Sequence, residues 1–223
     1  MAQVISEKQK QLNKKLHEEN NDFGMRDAAG GLAKKLPSSI KRMNELGLCK
    51  SVLDYGTGKG SIVKRLKKEL PETIQIIGYD PAVAAFDKKP EKPSDILTCM
   101  DVLEHIEIND IDSVLEDIKN LTRNFCYLII DLQPAVKSLA NGRNAHILLA
   151  PSDWWVNKIS QHFSCQSSFP ILHERGLPQK IIVGATNKRE IVPYMYSFLA
   201  KMKLFDFTMV GGPLGKVKQS KPN

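Results

Sequence analysis

Apolar positions follow two rhythms along the chain, one sparse and helical at the start and one of short runs alternating with helices further on. Residues 4–20 set Val4, Ile5, Leu12 and Leu16 among Glu, Lys and Gln, a thin stripe that predicts a sparsely apolar, mostly solvated helix. A glycine-containing stretch, Phe23 to Gly31, follows. Leu36, Ile40, Met43 and Leu46 then recur at three- and four-residue steps, with Pro37 near the start and Gly47 as the stop, which predicts a second helix packed on what comes next.

From residue 51 short apolar runs alternate with helical ones, the pattern of βαβ units and a largely parallel sheet. Strands are predicted at 51–54, 74–79, 95–100, 125–131, 180–185 and 205–210, and helices at 61–70, 111–121, 153–163 and 191–203. Residues 81–93 hold three prolines and five charged residues and read as loop, with at most a turn of helix at Ala82 to Phe86. The expected organisation is a helical extension over 1–35, one α/β domain over 36–212, and a basic, disordered tail over 213–223.

The 223 residues, 42% of them hydrophobic, suffice for one sizeable core. Residues 1–20 lack the apolar run of a signal peptide or membrane anchor, so a soluble, cytoplasmic protein without membrane contact is expected. Cys49, Cys99, Cys126 and Cys165 are widely spaced without a CxxC pair, so neither a disulfide framework nor a metal site is expected. The net charge of +7 admits a phosphate-rich partner, although many lysines gather at residues 8–15 and 216–221, which read as solvated ends.

The sharpest local signal is Asp54-Tyr55-Gly56-Thr57-Gly58-Lys59-Gly60, where a buried strand runs into a helix. Glycines there permit a tight turn and close approach of a ligand to the main chain. The spacing is G-x-G-x-G, with Ser61 where the dinucleotide fingerprint takes its third glycine, and no G-x-x-x-x-G-K-[ST] run exists. Asp54, two residues before the first glycine, would repel a pyrophosphate and attract ammonium and sulfonium charges. Asp80, at the end of the second strand, stands where a carboxylate accepts from both hydroxyls of a ribose.

Together with Gly78-Tyr79-Asp80-Pro81 and the run Asp95 to Ile106, this loop resembles the successive motifs of class I S-adenosylmethionine-dependent methyltransferases, over roughly residues 50–135. The resemblance implies a Rossmann-like, seven-stranded sheet with S-adenosylmethionine across the carboxyl ends of its first strands. It implies that Asp54, Gly56, Thr57, Gly58 and Gly60 hold the methionine end, that Asp80 with Pro81 holds the ribose, and that Met100, Asp101 and Val102 border the transferred methyl. Only 14 residues separate Asp80 from Asp95, where the family fits a further helix and strand. This shortening leaves adenine to backbone groups near Thr98 to Asp101 or to Asp87. The run Asn141 to His146 and Asp153-Trp154-Trp155 are similar to small methyltransferases of bacteriophages.

Methyl transfer from a sulfonium is an in-line displacement, so the protein aligns the nucleophile and needs a base only where the acceptor loses a proton. His105 and His146 are the imidazoles best placed to reach the open end of the sheet, and they are the catalytic candidates. Glu104 would orient one of them. For His105 a supporting place at a helix start is the competing reading, and for His146 substrate contact. Asp131 and Gln133-Pro134 line the same edge, while one of Trp154 and Trp155 belongs to the core. Leu103-Glu104-His105 resembles small-molecule enzymes, so a small-molecule acceptor is expected, with nucleic acid as the alternative. Asp131-Leu132-Gln133-Pro134 lacks the Asp/Asn-Pro-Pro-Tyr/Phe and Pro-Cys motifs of DNA adenine and cytosine enzymes. A binding-only protein and an NAD-dependent oxidoreductase are the remaining classes, the second disfavoured by the glycine spacing.

Overall fold

The computed structural model describes residues 4–25, 31–172 and 176–202. Its elements run α1 (Glu7–Glu19), α2 (Leu36–Glu45), β1 (Ser51–Tyr55), α3 (Ser61–Glu69), β2 (Gln75–Tyr79), β3 (Ser94–Met100), α4 (Ile111–Asn120), β4 (Thr122–Asp131), α5 (Ser152–Ser160), β5 (Cys165–Leu172), β6 (Pro178–Thr186) and α6 (Val192–Lys201). One sheet joins all six strands in the order β2-β1-β3-β4-β6-β5. The first four pair in parallel, whereas β6 runs antiparallel to both β4 and β5.

Alternate residues of the buried strands feed two cores, as the pleat requires. Val52, Ile96, Phe125, Tyr127 and Ile129 face α2, α3 and α6, which supply Ile40, Met43, Leu66, Phe198 and Leu199. Leu53, Leu97, Cys126, Leu128 and Ile130 face α4 and α5, which supply Leu115, Ile118, Trp155 and Ile159. Of the two tryptophans, Trp155 is the one fully buried.

The seven-strand expectation is corrected to six strands among the described residues, and the strand read at 205–210 lies outside them. Residues 81–93 form no strand, so β2 is an outer strand of the sheet. The shortened loop folds back instead. The Asp80 N–H donates to the Phe86 carbonyl at 2.9 Å, and the Phe86 ring packs where side chains at Gly60 and Gly78 would stand. The unforeseen strand is β5, whose run Cys-Gln-Ser-Ser-Phe-Pro-Ile-Leu is half-buried throughout apart from exposed Pro170. A proline fits there because β5 is an edge strand and no partner beyond it needs its N–H.

The N-terminal helix is mostly solvated, with Gln9 and Leu16 its two buried residues, yet it is docked at specific points. Ser6 caps α1 by accepting from the Gln9 N–H at 3.1 Å, while its hydroxyl donates to Glu107 at 2.5 Å and its N–H to Asp110 at 3.0 Å. Gln9 is fully buried and accepts from Arg143 at 3.0 Å. Leu16 is buried with Leu139 and Ala145 in a small core that Leu12, Phe23 and Ile147 flank. Polar contacts to distant residues thus dock a helix whose apolar stripe is thin.

Candidate active site

A cavity of about 440 Å³ opens at the carboxyl ends of the parallel strands, within the roughly 300–1,000 Å³ usual for small-molecule sites. Gly56–Gly58 follow β1, Asp80–Ala82 follow β2, Asp101 and Val102 follow β3, and Asp131 ends β4. Antiparallel β6 adds Lys180, which pairs with Asp131 in the ladder. The roof is Val4, Ile5, Asn13, His17, Phe23, Gly24 and Met25, from α1 and the segments flanking it.

The glycine loop is shaped by its hydrogen bonds. The N–H groups of Gly56 and Thr57 both donate to the Tyr79 carbonyl, at 2.7 and 3.1 Å. Gly58 donates to the Asp80 carboxylate at 2.9 Å, Lys59 to the Gly24 carbonyl at 3.0 Å, and Gly60 to the Thr57 carbonyl at 3.0 Å. All five amides are engaged within the protein. A pyrophosphate-binding turn depends on backbone N–H groups directed at the anion, so this loop is unsuited to a dinucleotide. Gly56 (φ +71°) and Gly58 (φ +55°) are left-handed, and a Cβ on either would strike Val102 or the Gly24 backbone. These tight approaches leave the carboxylate of Asp80 and the bare glycine surface facing the cavity, a fit for a nucleoside without phosphates.

Of the ten residues expected to bind cofactor, Gly56, Thr57, Gly58, Asp80, Pro81, Asp101 and Val102 line the cavity, while Asp54, Gly60 and Met100 do not. Asp54 is fully buried beneath the loop and accepts from the hydroxyls of Thr57 at 2.7 Å and Thr98 at 2.9 Å, a loop-shaping position. Gly60 starts α3 under Phe86, and Met100 is core. Asp87 is exposed and outside the lining.

At the far end, His105 and His146 meet edge to face with ring centroids 4.8 Å apart. His105 Nδ1 lies 2.8 Å from the Ala145 carbonyl and His146 Nδ1 lies 2.6 Å from the Gln133 carbonyl, so each Nδ1–H donates and Nε2 is the nitrogen that carries the lone pair in the neutral ring. Burial, with a smaller contribution from His146, pushes His105 down to about 4, and the ring is neutral at pH 7. Phe23 bridges His105 to His17 at centroid distances of 5.6 and 4.7 Å, which ties the roof to the imidazole pair.

Glu104 lies fully buried beside the pair, with one oxygen accepting from the Asp131 N–H at 3.1 Å and the other without a hydrogen-bond partner. Burial, then the Asp101 charge, pushes its carboxyl up to about 8. Lys180 bonds both Asp101 and Asp131, at 2.8 and 2.9 Å. Burial works against its charge, but the two carboxylates more than offset this and hold its pKa above the ordinary lysine value. Asp101 sits at φ +51°, a strained conformation for a residue with a Cβ and one that clusters at functional sites. Sequence reasoning missed His17, Phe23 and Lys180. A charged residue opening the apolar run Ile181 to Ala185 was the available signal for Lys180.

Among the described residues no helix is long and apolar enough to cross a membrane. A family profile described as a methyltransferase domain matches residues 14–173. No curated protein matches the chain. The plantazolicin methyltransferase BamL, solved with a triazolic desmethylPZN analog and S-adenosylhomocysteine, aligns with TM-score 0.59 and 10% identity over 79% of this chain and 91% of that one. The N-methyltransferase NodS of Bradyrhizobium japonicum, solved with S-adenosylhomocysteine, aligns with TM-score 0.53 and 9% identity over 81% and 100%. The 1,6-didemethyltoxoflavin-N1-methyltransferase of Burkholderia thailandensis, solved with 1,6-didemethyltoxoflavin and S-adenosylhomocysteine, aligns with TM-score 0.50 and 15% identity over 78% and 86%. At these identities the likeness establishes a shared fold.

Proposed function

Because the chain belongs to the methyltransferase-domain family, we propose that it transfers a methyl group from S-adenosylmethionine to a small-molecule acceptor enclosed in the roofed cavity. One observation carries the reading: a single cavity has a phosphate-averse glycine loop with Asp80 at one end and two neutral-capable imidazoles at the other. The cofactor supplies an electrophilic methyl on a sulfonium, which needs no cleavage help from the protein.

Asp80, held in place by the Gly58 and Ala82 N–H groups, offers its remaining lone pairs to ribose hydroxyls. Tyr55, Val102, Ile106 and Val114 give an apolar wall for the base, in place of the strand that the short loop omits. Buried Asp54 holds the loop from beneath through the hydroxyls of Thr57 and Thr98. His105 and His146 present Nε2 lone pairs that orient the acceptor, and the roof excludes water. The enclosed volume favours a small acceptor over a nucleic acid, and two of the three solved structures hold 1,6-didemethyltoxoflavin or a triazolic desmethylPZN analog together with S-adenosylhomocysteine. A narrower kinship with bacteriophage enzymes rests on the runs Asn141 to His146 and Asp153 to Trp155, and in the first of these Asn144 braces the Ala135 turn.

Calorimetric titration with S-adenosylmethionine, S-adenosylhomocysteine and NAD tests the assignment. Binding of the first two and not the third is expected, followed by labelled-methyl incorporation in a small-molecule screen. Binding of NAD alone would overturn it.

A further inference from the structure

Glu104, His105 and His146 each bring one donor atom within 4.8 Å of the others, with His146 Nε2 4.0 Å from the Glu104 carboxylate. Donors around a divalent ion at about 2.0–2.2 Å stand at most about 4.4 Å apart, so the three sit within a few tenths of an ångström to about an ångström of a coordinating arrangement. Three features set this trio apart from a chance cluster. Both imidazoles are already anchored through Nδ1–H to backbone carbonyls, of Ala145 and Gln133, the arrangement that fixes the tautomer and aims Nε2 in metal-bound histidines. Glu104 is fully buried with one oxygen lacking any hydrogen-bond partner, a costly state that an ion would relieve. Asp101 and Asp131 also gather at this end of the cavity around the ammonium of Lys180, two carboxylates against one cation, which leaves an excess of negative charge.

We propose that Glu104, His105 and His146 form a divalent transition-metal site at the acceptor end of the cavity. Two imidazoles and one carboxylate select a borderline ion such as Zn²⁺ or Co²⁺ over Mg²⁺ or Ca²⁺, which take oxygen ligands. Three protein donors leave coordination positions open, and since both imidazoles line the cavity those positions face it. The two Nε2 lone pairs then act on an acceptor through the ion. An oxygen donor of the acceptor bound there is held against the cofactor end and acidified by the ion's charge. The site itself is independent of the methyl-transfer reading.

The test uses the full chain without a histidine tag, stripped with EDTA, and titrated with Co²⁺ alone by visible absorption and calorimetry. One ion per chain is expected, with a visible spectrum of nitrogen-ligated cobalt that excess Mg²⁺ leaves unchanged. His146→Ala and Glu104→Gln should each weaken Co²⁺ binding by at least about 100-fold. His162→Ala, in the separate surface cluster with Asp112 and Glu116, should leave it unchanged. Thermal melts establish that each variant is folded, and His146, on a loop, keeps the test decisive should Glu104→Gln misfold. Absence of stoichiometric binding by the parent chain, retention of Co²⁺ affinity in His146→Ala, or equal competition by Mg²⁺ would overturn the proposal. A parallel titration with S-adenosylhomocysteine separates the two readings, since cobalt binding without it refutes the cofactor assignment and leaves the metal site standing.

Discussion

Replacing Gly58 by alanine separates backbone strain from steric clash, because another left-handed glycine of the same chain supplies the control. Gly58 stands at φ +55° and Gly47 at φ +73°, so a Cβ costs each about 1–2 kcal/mol in that conformation. For a chain of this length the cost appears as a fall in Tm of about 2–8 °C. Nothing lies within 4 Å of a Cβ on Gly47, which ends α2 in a Schellman turn: Leu48 donates to the Met43 carbonyl and Gly47 to that of Asn44. A Cβ on Gly58 instead meets the Gly24 carbonyl oxygen at 2.6 Å and must drive it back to the 3.4 Å of ordinary contact, a retreat of roughly 0.8 Å. That movement breaks or stretches the bond from the Lys59 N–H to Gly24, worth about 0.5–1.5 kcal/mol, and lifts the roof. Gly58→Ala should therefore lose more stability than Gly47→Ala and bind S-adenosylhomocysteine up to about tenfold more weakly. Gly47→Ala should bind it like the parent. Thermal melts and calorimetry on both variants decide the matter, and a Gly58→Ala protein with parental affinity and the Tm of Gly47→Ala would refute the reasoning.

Three other perturbations follow from the same geometry. Ser6→Ala removes a helix cap and the bond to Glu107, so about 0.5–2 kcal/mol of stability should go, with faster amide exchange across 7–19; unchanged exchange there would contradict the docking of α1. Lys180 has a folded pKa above its ordinary 10.5, so its contribution is complete below about pH 10 and vanishes as pH rises through the folded value. Melts of the parent and Lys180→Met should differ most near neutrality and converge at high pH, and a constant gap would remove the ion pairs from the account. Burial pushes Cys49 and Cys126 up to about 12 and Cys99 is buried, so a thiol reagent at pH 8 should label half-buried Cys165 first and all four only after unfolding. Rapid labelling of all four native thiols would show the core to be open.

What the amino-acid order made legible was local chemistry. The strand-turn-helix from Ser51 to Glu69, the carboxylate of Asp80 and the strand ending at Met100 all declare themselves through periodicity and punctuation, and each was found where expected. His105 and His146 stood out singly as imidazoles near the open end of the sheet, but only the fold brings their rings, 41 residues apart, to 4.8 Å. Lys180 escaped because periodicity carries no strand direction. Only the antiparallel register of β6 sets it opposite Asp131, at the end of the sheet where ligands lie. The docking of α1 escaped for another reason: its burial rests on Gln9, Arg143 and Ser6, polar residues that read as solvated until their distant partners are known.

The partners of α1 also have a temporal consequence. Ser6 bonds Asp110, 104 positions later, and Gln9 bonds Arg143, 134 positions later. At ribosomal speeds of about 5–20 residues per second, α1 waits several seconds or more for the segment that holds it. Contacts of such separation also close large loops, and they form late on any route to the folded state. The sheet can thus be assembled while the cavity still lacks its cover, and competence to bind lags behind the appearance of strands. In a refolding time course, intrinsic sheet signal should precede recovery of ligand binding by a resolvable interval.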